Sequence, residues 1–174
     1  SCTGTEANEV AIAMARSFTG GQGIITSSAA YHGNSHMVGK LTHLGESKRH
    51  DDARAFPFPD LYRPAEQGLS EAALCNLYLE RIADAIEDFK ARGVPLAGLL
   101  VCSIFANEGL PNIPEGFMAK AAKLIREAGG LVIADEVQAG VCRPGRWWGE
   151  EVTGFEPDIA VMGKPLGNGL PLAA

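Results

Sequence analysis

Apolar residues recur along the chain in two patterns, helical spacing and short continuous runs. Helical spacing predicts helices over residues 5–18, 70–92 and 115–130, each with glycine at or just beyond its end. Short runs rich in aliphatic residues predict buried strands at "GIITSS", "LAGLLVCSIF", "GLVIAD" and "PDIAVMG". The predicted apolar side of the first helix consists of Ala7, Val10, Ala11 and Met14. Because apolar strands alternate with helices, we expect an α/β fold with a largely parallel sheet flanked by helices.

Residues 31–67 show neither pattern, and we predict a loop over this segment, which includes the proline-rich "FPFPDLYRP". Loops of this length are usually functional or pack against another part of the molecule. The chain begins close to a predicted helix start and stops inside an apolar run that should enter another strand. We therefore expect a fragment of a longer enzyme.

Composition and charge narrow the class of protein. The chain has 174 residues, of which 46% are hydrophobic and 21% charged, and its formal net charge is −6. These values are ordinary for one globular domain. The negative net charge and the lack of a basic cluster argue against nucleic acid or an anionic membrane as a partner. Since the sequence shows no signal peptide and no membrane-spanning apolar run, we expect a cytoplasmic protein.

The cysteines and histidines give little support to a metal site. The four cysteines are far apart and form no CxxC pair, so we expect buried thiols in a reducing compartment; they are Cys2, Cys75, Cys102 and Cys142. The histidines show no HExxH motif or paired spacing. We predict no bound metal.

Three polar signals fall at predicted strand ends or at a helix start, where ligands of open parallel sheets collect. Gly4 and Thr5 begin a helix, which is either a phosphate cradle or a simple helix cap. Asp135 ends an apolar strand, either as a partner for a cation or as a turn residue. Lys164 follows another strand, either as a nucleophilic amine or as a surface lysine. Together they meet the needs of pyridoxal 5′-phosphate (PLP): an anion site, an acid for the ring nitrogen and a lysine.

Four stretches make the resemblance to a known family specific: "SCTGTEANEVAIAMAR", "AYHGNS", "GGLVIADEVQAGVCRPGRWW" and "EPDIAVMGKPLGNGLPLAA". They resemble successive blocks of the class III aminotransferases, which are fold-type I PLP enzymes. The similarity covers nearly the whole chain and is weakest over residues 43–64. It implies that residues 1–174 are part of the PLP-binding large domain, without the N-terminal segment and the C-terminal small domain.

The resemblance also implies a role for each matching residue. Lys164 would carry the cofactor covalently, and Asp135 would keep the pyridine nitrogen protonated. Tyr31 would stack on one face of the ring, and Val137 would pack on the other. The remaining implied cofactor-binding residues are Gly4 and Thr5 at the phosphate, Gln138 near the phenolic oxygen, and His32 beside Tyr31.

Two stretches depart from the family pattern. Family members commonly read E-P-V-Q-G-x-G where this chain has "SIFANEG", so Ser103 replaces the first glutamate and Glu108 matches a second acidic position used near the substrate. The stretch "MGKPLGNG" resembles a branch that contains lyases acting on phosphorylated amino-alcohols. The carboxylate that is lost at Ser103 changes the charge on the substrate side of the site.

We therefore expect a PLP-dependent aminotransferase that moves an amino group between an amine or amino acid and a keto acid or aldehyde. One alternative is a PLP-dependent lyase on a phosphorylated amino-alcohol, and another is a non-catalytic remnant or binding protein that keeps the fold. The resemblance implies a homodimer for the full-length enzyme. We expect the isolated segment to be inactive.

Overall fold

The computed structural model describes residues 1–45 and 50–174. In this part of the chain the helices are α1 (Gly4–Thr19), α2 (Glu71–Ala91), α3 (Phe117–Glu127) and α4 (Glu150–Thr153), with a short 3-10 turn at Val38–Lys40. The strands are β1 (Gly23–Ser27), β2 (Ala53–Phe56), β3 (Leu96–Cys102), β4 (Leu131–Glu136) and β5 (Ile159–Met162).

Within the described residues the strands form one parallel sheet in the order β2-β1-β3-β4-β5. Side chains alternate between its two faces, and both faces are covered by helices. α1 packs on one face against Ile24, Leu100 and Ile133, whereas α2 and α3 pack on the other against Ile25 and Leu99. The predicted α/β fold with a parallel sheet between helices is confirmed. Because the strands are parallel, their carboxyl ends meet at one edge.

The buried side of α1 differs from the predicted one. Ala7 and Ala11 are buried, but the side chains of Val10 and Met14 are 52% and 56% exposed. Polar Asn8 is buried instead, together with Ile12 and Ala15. The prediction considered apolar residues alone, so it assigned Val10 and Met14 to the buried side of the helix.

The segment 31–67 contains a strand that the sequence prediction missed. β2 pairs with β1 as an edge strand, although Arg54 lies in its middle. Arg54 is buried, and its guanidinium is neutralised by Asp88 at 2.5 Å and lies 5.0 Å from the centre of the Phe89 ring. A paired, hydrogen-bonded arginine can occupy a strand without the cost of an isolated charge. Residues 46–49 of the predicted loop lie outside the described residues.

Several boundaries and side-chain environments also need correction. β3 ends at Cys102 rather than at Phe105, because Phe105 has a φ of 50°, which no strand residue adopts. Cys75 and Cys102 are buried as expected, whereas Cys2 and Cys142 are exposed. No strand follows β5 within the described residues, where Ala174 exchanges two backbone hydrogen bonds with Met162. That the final apolar run enters a further strand stays a prediction. None of the described helices is long and apolar enough to cross a membrane.

Candidate active site

A cavity of about 390 Å³ opens at the carboxyl edge of the sheet, between the start of α1 and the ends of β3, β4 and β5. All eight residues predicted to bind the cofactor line it: Gly4, Thr5, Tyr31, His32, Asp135, Val137, Gln138 and Lys164. Three lining residues were not predicted, namely Asn8, Cys102 and Asn107. The fold therefore brings together residues that lie up to 160 positions apart in the sequence (164 minus 4).

Asp135 is the buried acid of this cavity. Its Oδ2 accepts hydrogen bonds from Asn8 Nδ2 at 3.0 Å and from His32 Nδ1 at 2.7 Å, and its Oδ1 accepts from the Val137 amide at 3.1 Å. An ionised carboxylate has about four acceptor directions. Three are occupied by the protein, so one remains for a donor in the cavity.

His32 links Asp135 to the sheet. Its ring is buried, with Nδ1 at Asp135 and Nε2 3.0 Å from the Thr26 hydroxyl. Its backbone N–H donates to Thr42 Oγ1, and Thr42 in turn donates to the Gly33 carbonyl. These bonds fix both the ring and the chain around it. The resemblance grouped His32 with Tyr31, whereas its observed side-chain contacts are with the acid.

The first turn of α1 offers backbone donors to the cavity. Thr3 caps the helix, and its Oγ1 accepts from the Glu6 amide at 3.1 Å. The amides of Gly4 and Thr5 precede the first intrahelical acceptor, so the helix itself cannot satisfy them. Free amides and the positive end of the helix dipole favour an anion such as a phosphate here.

Two glycines permit the close approach of the elements around the cavity. A Cβ on Gly4 would lie 2.7 Å from both methyl groups of Val137. Gly33 has a φ of +133°, and a Cβ there would lie 2.5 Å from Thr5 Oγ1. Any larger residue at either position would push α1 away from the loops that carry Val137 and His32.

Lys164 lies at the mouth of the cavity, two residues after β5. Its backbone N–H donates to the Val137 carbonyl at 3.1 Å, which ties the lysine to the loop after β4. The side chain is exposed, and across residues 1–45 and 50–174 it forms no hydrogen bond or ion pair. The amine is therefore solvated at the cavity mouth rather than buried at a strand end.

The remaining predicted side chains form the walls of the cavity. Tyr31 is half-exposed, with its ring centre 6.2 Å from that of His43, and it presents an aromatic surface. Val137 is partly buried against Gly4 and Gly163. Gln138 lines this cavity and also a neighbouring one of about 400 Å³ that Arg143 and Phe105 border. An aromatic wall and an aliphatic wall suit a flat ring.

Glu108, the predicted substrate residue, lies beside the cavity rather than in its lining. The hydroxyl of Ser27, at the end of β1, donates to Glu108 Oε1. Glu108 Oε2 and the hydroxyl of Ser103 are both buried without a partner among the described residues. One of these atoms belongs to Ser103, the position at which the family commonly carries a carboxylate.

Sequence reasoning missed the polar lining residues Asn8, Asn107 and Cys102. A polar residue on a helix side shared with Ile12 and Ala15 was the available signal for Asn8. Burial raises the pKa of the Cys102 thiol to about 12, with the charges of Asp135 and Glu108 adding to the effect. Cys102 is thus a neutral thiol at neutral pH and a poor nucleophile.

Glu136 follows Asp135 on β4 and faces the opposite side of the sheet, as strand alternation requires. It is buried, and its carboxylate accepts from the amides of Gly149 and Glu150 at 2.9 and 3.0 Å. These bonds attach the far end of loop 137–149 to the strand of Asp135. Burial, and then a hydrogen bond with Glu136, raises the pKa of Glu150 to about 7.

A larger cavity lies elsewhere. It measures about 640 Å³ and lies between the C-terminal ends of α2 and α3, bordered mainly by apolar residues such as Ile86, Phe89 and Leu124. It contains none of the predicted site residues. We place the functional site in the smaller cavity because its polar groups converge there.

By its parallel sheet, the chain is an α/β protein with part of the fold of PLP-dependent transferases. It matches the class-III aminotransferase family over residues 1–174. A diaminobutyrate–2-oxoglutarate aminotransferase of Haemophilus influenzae is 35% identical to it over 176 residues, covering 98% of this chain and 38% of that protein.

Two solved structures are also similar. A phospholyase from Arthrobacter, in complex with phosphoethanolamine, has a TM-score of 0.90 and 35% identity, covering 99% of this chain and 41% of its own. A taurine:2-oxoglutarate aminotransferase from Bifidobacterium kashiwanohense, in complex with PLP and glutamate, has a TM-score of 0.84 and 28% identity, covering 99% and 40%.

The chain belongs to the class-III aminotransferases, a family that uses PLP and acts on amino donors and keto acids. It spans less than half the length of the three relatives described above.

Proposed function

We propose that this chain is the cofactor-binding part of a PLP-dependent aminotransferase that moves an amino group between an amine or amino acid and a keto acid or aldehyde. The observation that carries the proposal is one cavity with a helix N terminus, a buried aspartate with one open acceptor direction, and a lysine whose amine has no partner among the described residues. The missing Cβ atoms of Gly4 and Gly33 let α1 pack closely on the loops that carry Val137 and His32, and this brings the polar groups to one cavity.

Each end of the cofactor has partners in the cavity. The amides of Gly4 and Thr5 would hold its phosphate, and Asp135 would accept from its ring nitrogen and favour the protonated form. Tyr31 and Val137 would enclose its ring, Gln138 would lie near its phenolic oxygen, and Lys164 would hold it covalently. When bound, the cofactor supplies an electron sink for the substrate carbon.

Lys164 then moves the proton. Its free Nζ would take the proton from the substrate carbon that bears the amino group and, as a general acid, would give it to the cofactor's C4′. The Val137 carbonyl holds the backbone at Lys164, so the amine stays at the cavity mouth. Asp135, held by His32, would keep its open acceptor direction toward the ring nitrogen.

The test uses protein purified from its complete reading frame and loaded with PLP. Beyond the one equivalent that the cofactor itself accepts, we expect an amino donor to be converted to its carbonyl product only when a keto acid or aldehyde acceptor is present, with both products formed in equal amounts. Lys164→Ala is the control and should abolish turnover. Absence of any cofactor absorbance band in the unmodified protein would favour the non-catalytic alternative.

A phospholyase is the second candidate. Ser103 replaces the glutamate common in the family, and the solved structure with a TM-score of 0.90 is that of a phospholyase in complex with phosphoethanolamine. A lyase shares the proton-removal step and then expels phosphate. Release of ammonia and phosphate from phosphoethanolamine without a keto acid would support the lyase, whereas strict dependence on a keto acid would support the aminotransferase.

We further propose that the chain lies in the large domain of a cytoplasmic, homodimeric enzyme. The exposed apolar side chains of Val10, Met14 and Phe18 on α1 support a contact with another part of the enzyme. Size-exclusion chromatography of the full-length protein tests the dimer, and cell fractionation tests the location.

A further inference from the structure

Thr26, a buried residue outside the cavity lining, contacts the predicted acid only through His32. It lies on β1, and its hydroxyl is 3.0 Å from His32 Nε2, on the side of the ring away from Asp135. His32 Nδ1 is 2.7 Å from Asp135 Oδ2. A nitrogen and a carboxylate oxygen this close must share a proton, because two lone pairs would repel. Nδ1 therefore carries the proton. Whether Nε2 also carries one depends on the hydrogen bond with Thr26.

Asn8 holds the same carboxylate from α1. Its Nδ2 donates to Asp135 Oδ2 at 3.0 Å and to the His32 carbonyl at 2.9 Å. These two acceptors fix the orientation of the amide, since the flipped amide would place Oδ1 against two oxygens. Asn8 is 1% exposed, and its Oδ1 is buried on the cavity wall without a partner among the described residues. A buried acceptor without a protein partner is open to a donor in the cavity.

We propose that Thr26 and Asn8 are positioning residues for Asp135. Thr26 donates to a bare Nε2, which keeps the His32 proton on Nδ1 and directed at Oδ2, while Asn8 fixes the same oxygen from the other element. The carboxylate is then held with its single open acceptor direction toward the cavity. The inference rests on the proposed function in one respect only, that the donor reaching this direction is the PLP ring nitrogen.

The Thr26 hydroxyl does not line the cavity, yet we expect it to affect cofactor binding through His32 and Asp135. Thr26→Val keeps the shape of the side chain and removes the donor, and Thr26→Ser restores it. Asn8→Asp keeps the shape of the amide but places oxygens against Asp135 and the His32 carbonyl. Ser17→Ala, at an exposed site on α1, is the matched control for substitution in this helix.

The first measurement is nitrogen NMR of the histidine rings in the cofactor-free, full-length protein. We expect Nδ1 protonated and Nε2 bare for His32 in the unmodified protein and in Thr26→Ser, and a displaced Nε2 resonance in Thr26→Val. A protonated Nε2 in the unmodified protein would overturn the proposal, because Thr26 would then be an acceptor. This measurement does not depend on what the cavity binds.

The second measurement is titration of the cofactor-free protein with PLP. We expect binding about tenfold weaker in Thr26→Val and at least as much weaker in Asn8→Asp, with Thr26→Ser and Ser17→Ala close to the unmodified protein. If the unmodified protein binds PLP and Thr26→Val binds it equally well, the proposal is wrong while the proposed function stands. If the unmodified protein does not bind PLP, the proposed function fails. The His32 ring resonances alone then test whether Thr26 positions Asp135. Should Asn8→Asp fail to fold, the two Thr26 variants still give the answer.

Discussion

Asp135 is the residue on which the proposed chemistry most depends. Three protein donors hold its carboxylate, and its remaining acceptor direction faces the cavity. The lysine at the cavity mouth can remove a proton only if the resulting negative charge is stabilised, and in this account that requires a charged acid as the partner of the ring nitrogen.

Asp135→Asn tests this role. A neutral amide cannot keep the ring nitrogen protonated, so we expect PLP still to bind and turnover to fall by about 100-fold or more. Cofactor titration and single-turnover kinetics on the same preparation separate the two effects. Near-normal turnover would make Asp135 a structural residue.

The contact between Gly4 and Val137 makes a second prediction at this scale. A Cβ on Gly4 would lie 2.7 Å from both Val137 methyl groups, so Gly4→Ala should shift the first turn of α1 and weaken PLP binding. Overpacking of this kind costs about 1–3 kcal/mol. Val137→Ala makes room, so the double variant should bind more tightly than the sum of the single effects predicts. Simple additivity in this cycle would contradict the packing argument.

At the scale of elements, the sequence predicted what continuous patterns encode. The apolar runs of β1, β3, β4 and β5 and the spacing of α2 and α3 were recognised because each buries a regular set of apolar side chains. β2 was missed because the burial of Arg54 depends on Asp88 and Phe89, which lie in another element. No local pattern reports such a pairing.

Some residues of the candidate site could likewise be predicted from local sequence patterns, and others could not. Gly4, Asp135 and Lys164 were found because each lies at or near the end of a regular element. Asn8 was not found, because its amide is satisfied only by Asp135 and His32, far along the chain. The resemblance supplied Tyr31, His32, Val137 and Gln138, which no local rule of periodicity or capping identifies.

The contact between Glu136 on β4 and Glu150 on α4 predicts that the stability of the fold depends on pH. The usual pKa of a glutamate is 4.5, and in the folded protein burial and the neighbouring Glu136 raise the pKa of Glu150 to about 7. The folded state therefore holds this proton more tightly than the unfolded state, so stability is retained below pH 4.5 and lost as pH rises through about 7. Glu150→Gln removes the titrating group.

We expect Glu150→Gln to be more stable than the unmodified protein above pH 7 and to lose less stability between pH 4.5 and 7. Thermal unfolding across this range measures it, with the exposed Glu156→Gln as the control. Parallel curves for Glu150→Gln and the unmodified protein would show that the two carboxyl groups do not interact.

At the scale of the whole molecule, α1 presents a stripe of apolar residues to solvent. Val10, Met14 and Phe18 are spaced four residues apart, and Phe18 is 81% exposed. Contiguous exposed apolar side chains promote association. The 174 residues expressed alone should therefore self-associate, and Phe18→Glu should reduce this. Tyr62→Glu, at an equally exposed aromatic elsewhere, should not, and sedimentation velocity compares them. Equal association of both variants would place the contact on another surface.

The central claim is that the cavity at the carboxyl edge of the sheet holds PLP on Lys164. The most direct measurement is borohydride reduction of the PLP-loaded, full-length protein, followed by proteolysis and mass mapping of the modified peptide. The account predicts one reduced adduct on Lys164 and none in Lys164→Ala. An adduct on another lysine, or an undiminished adduct in Lys164→Ala, would contradict it.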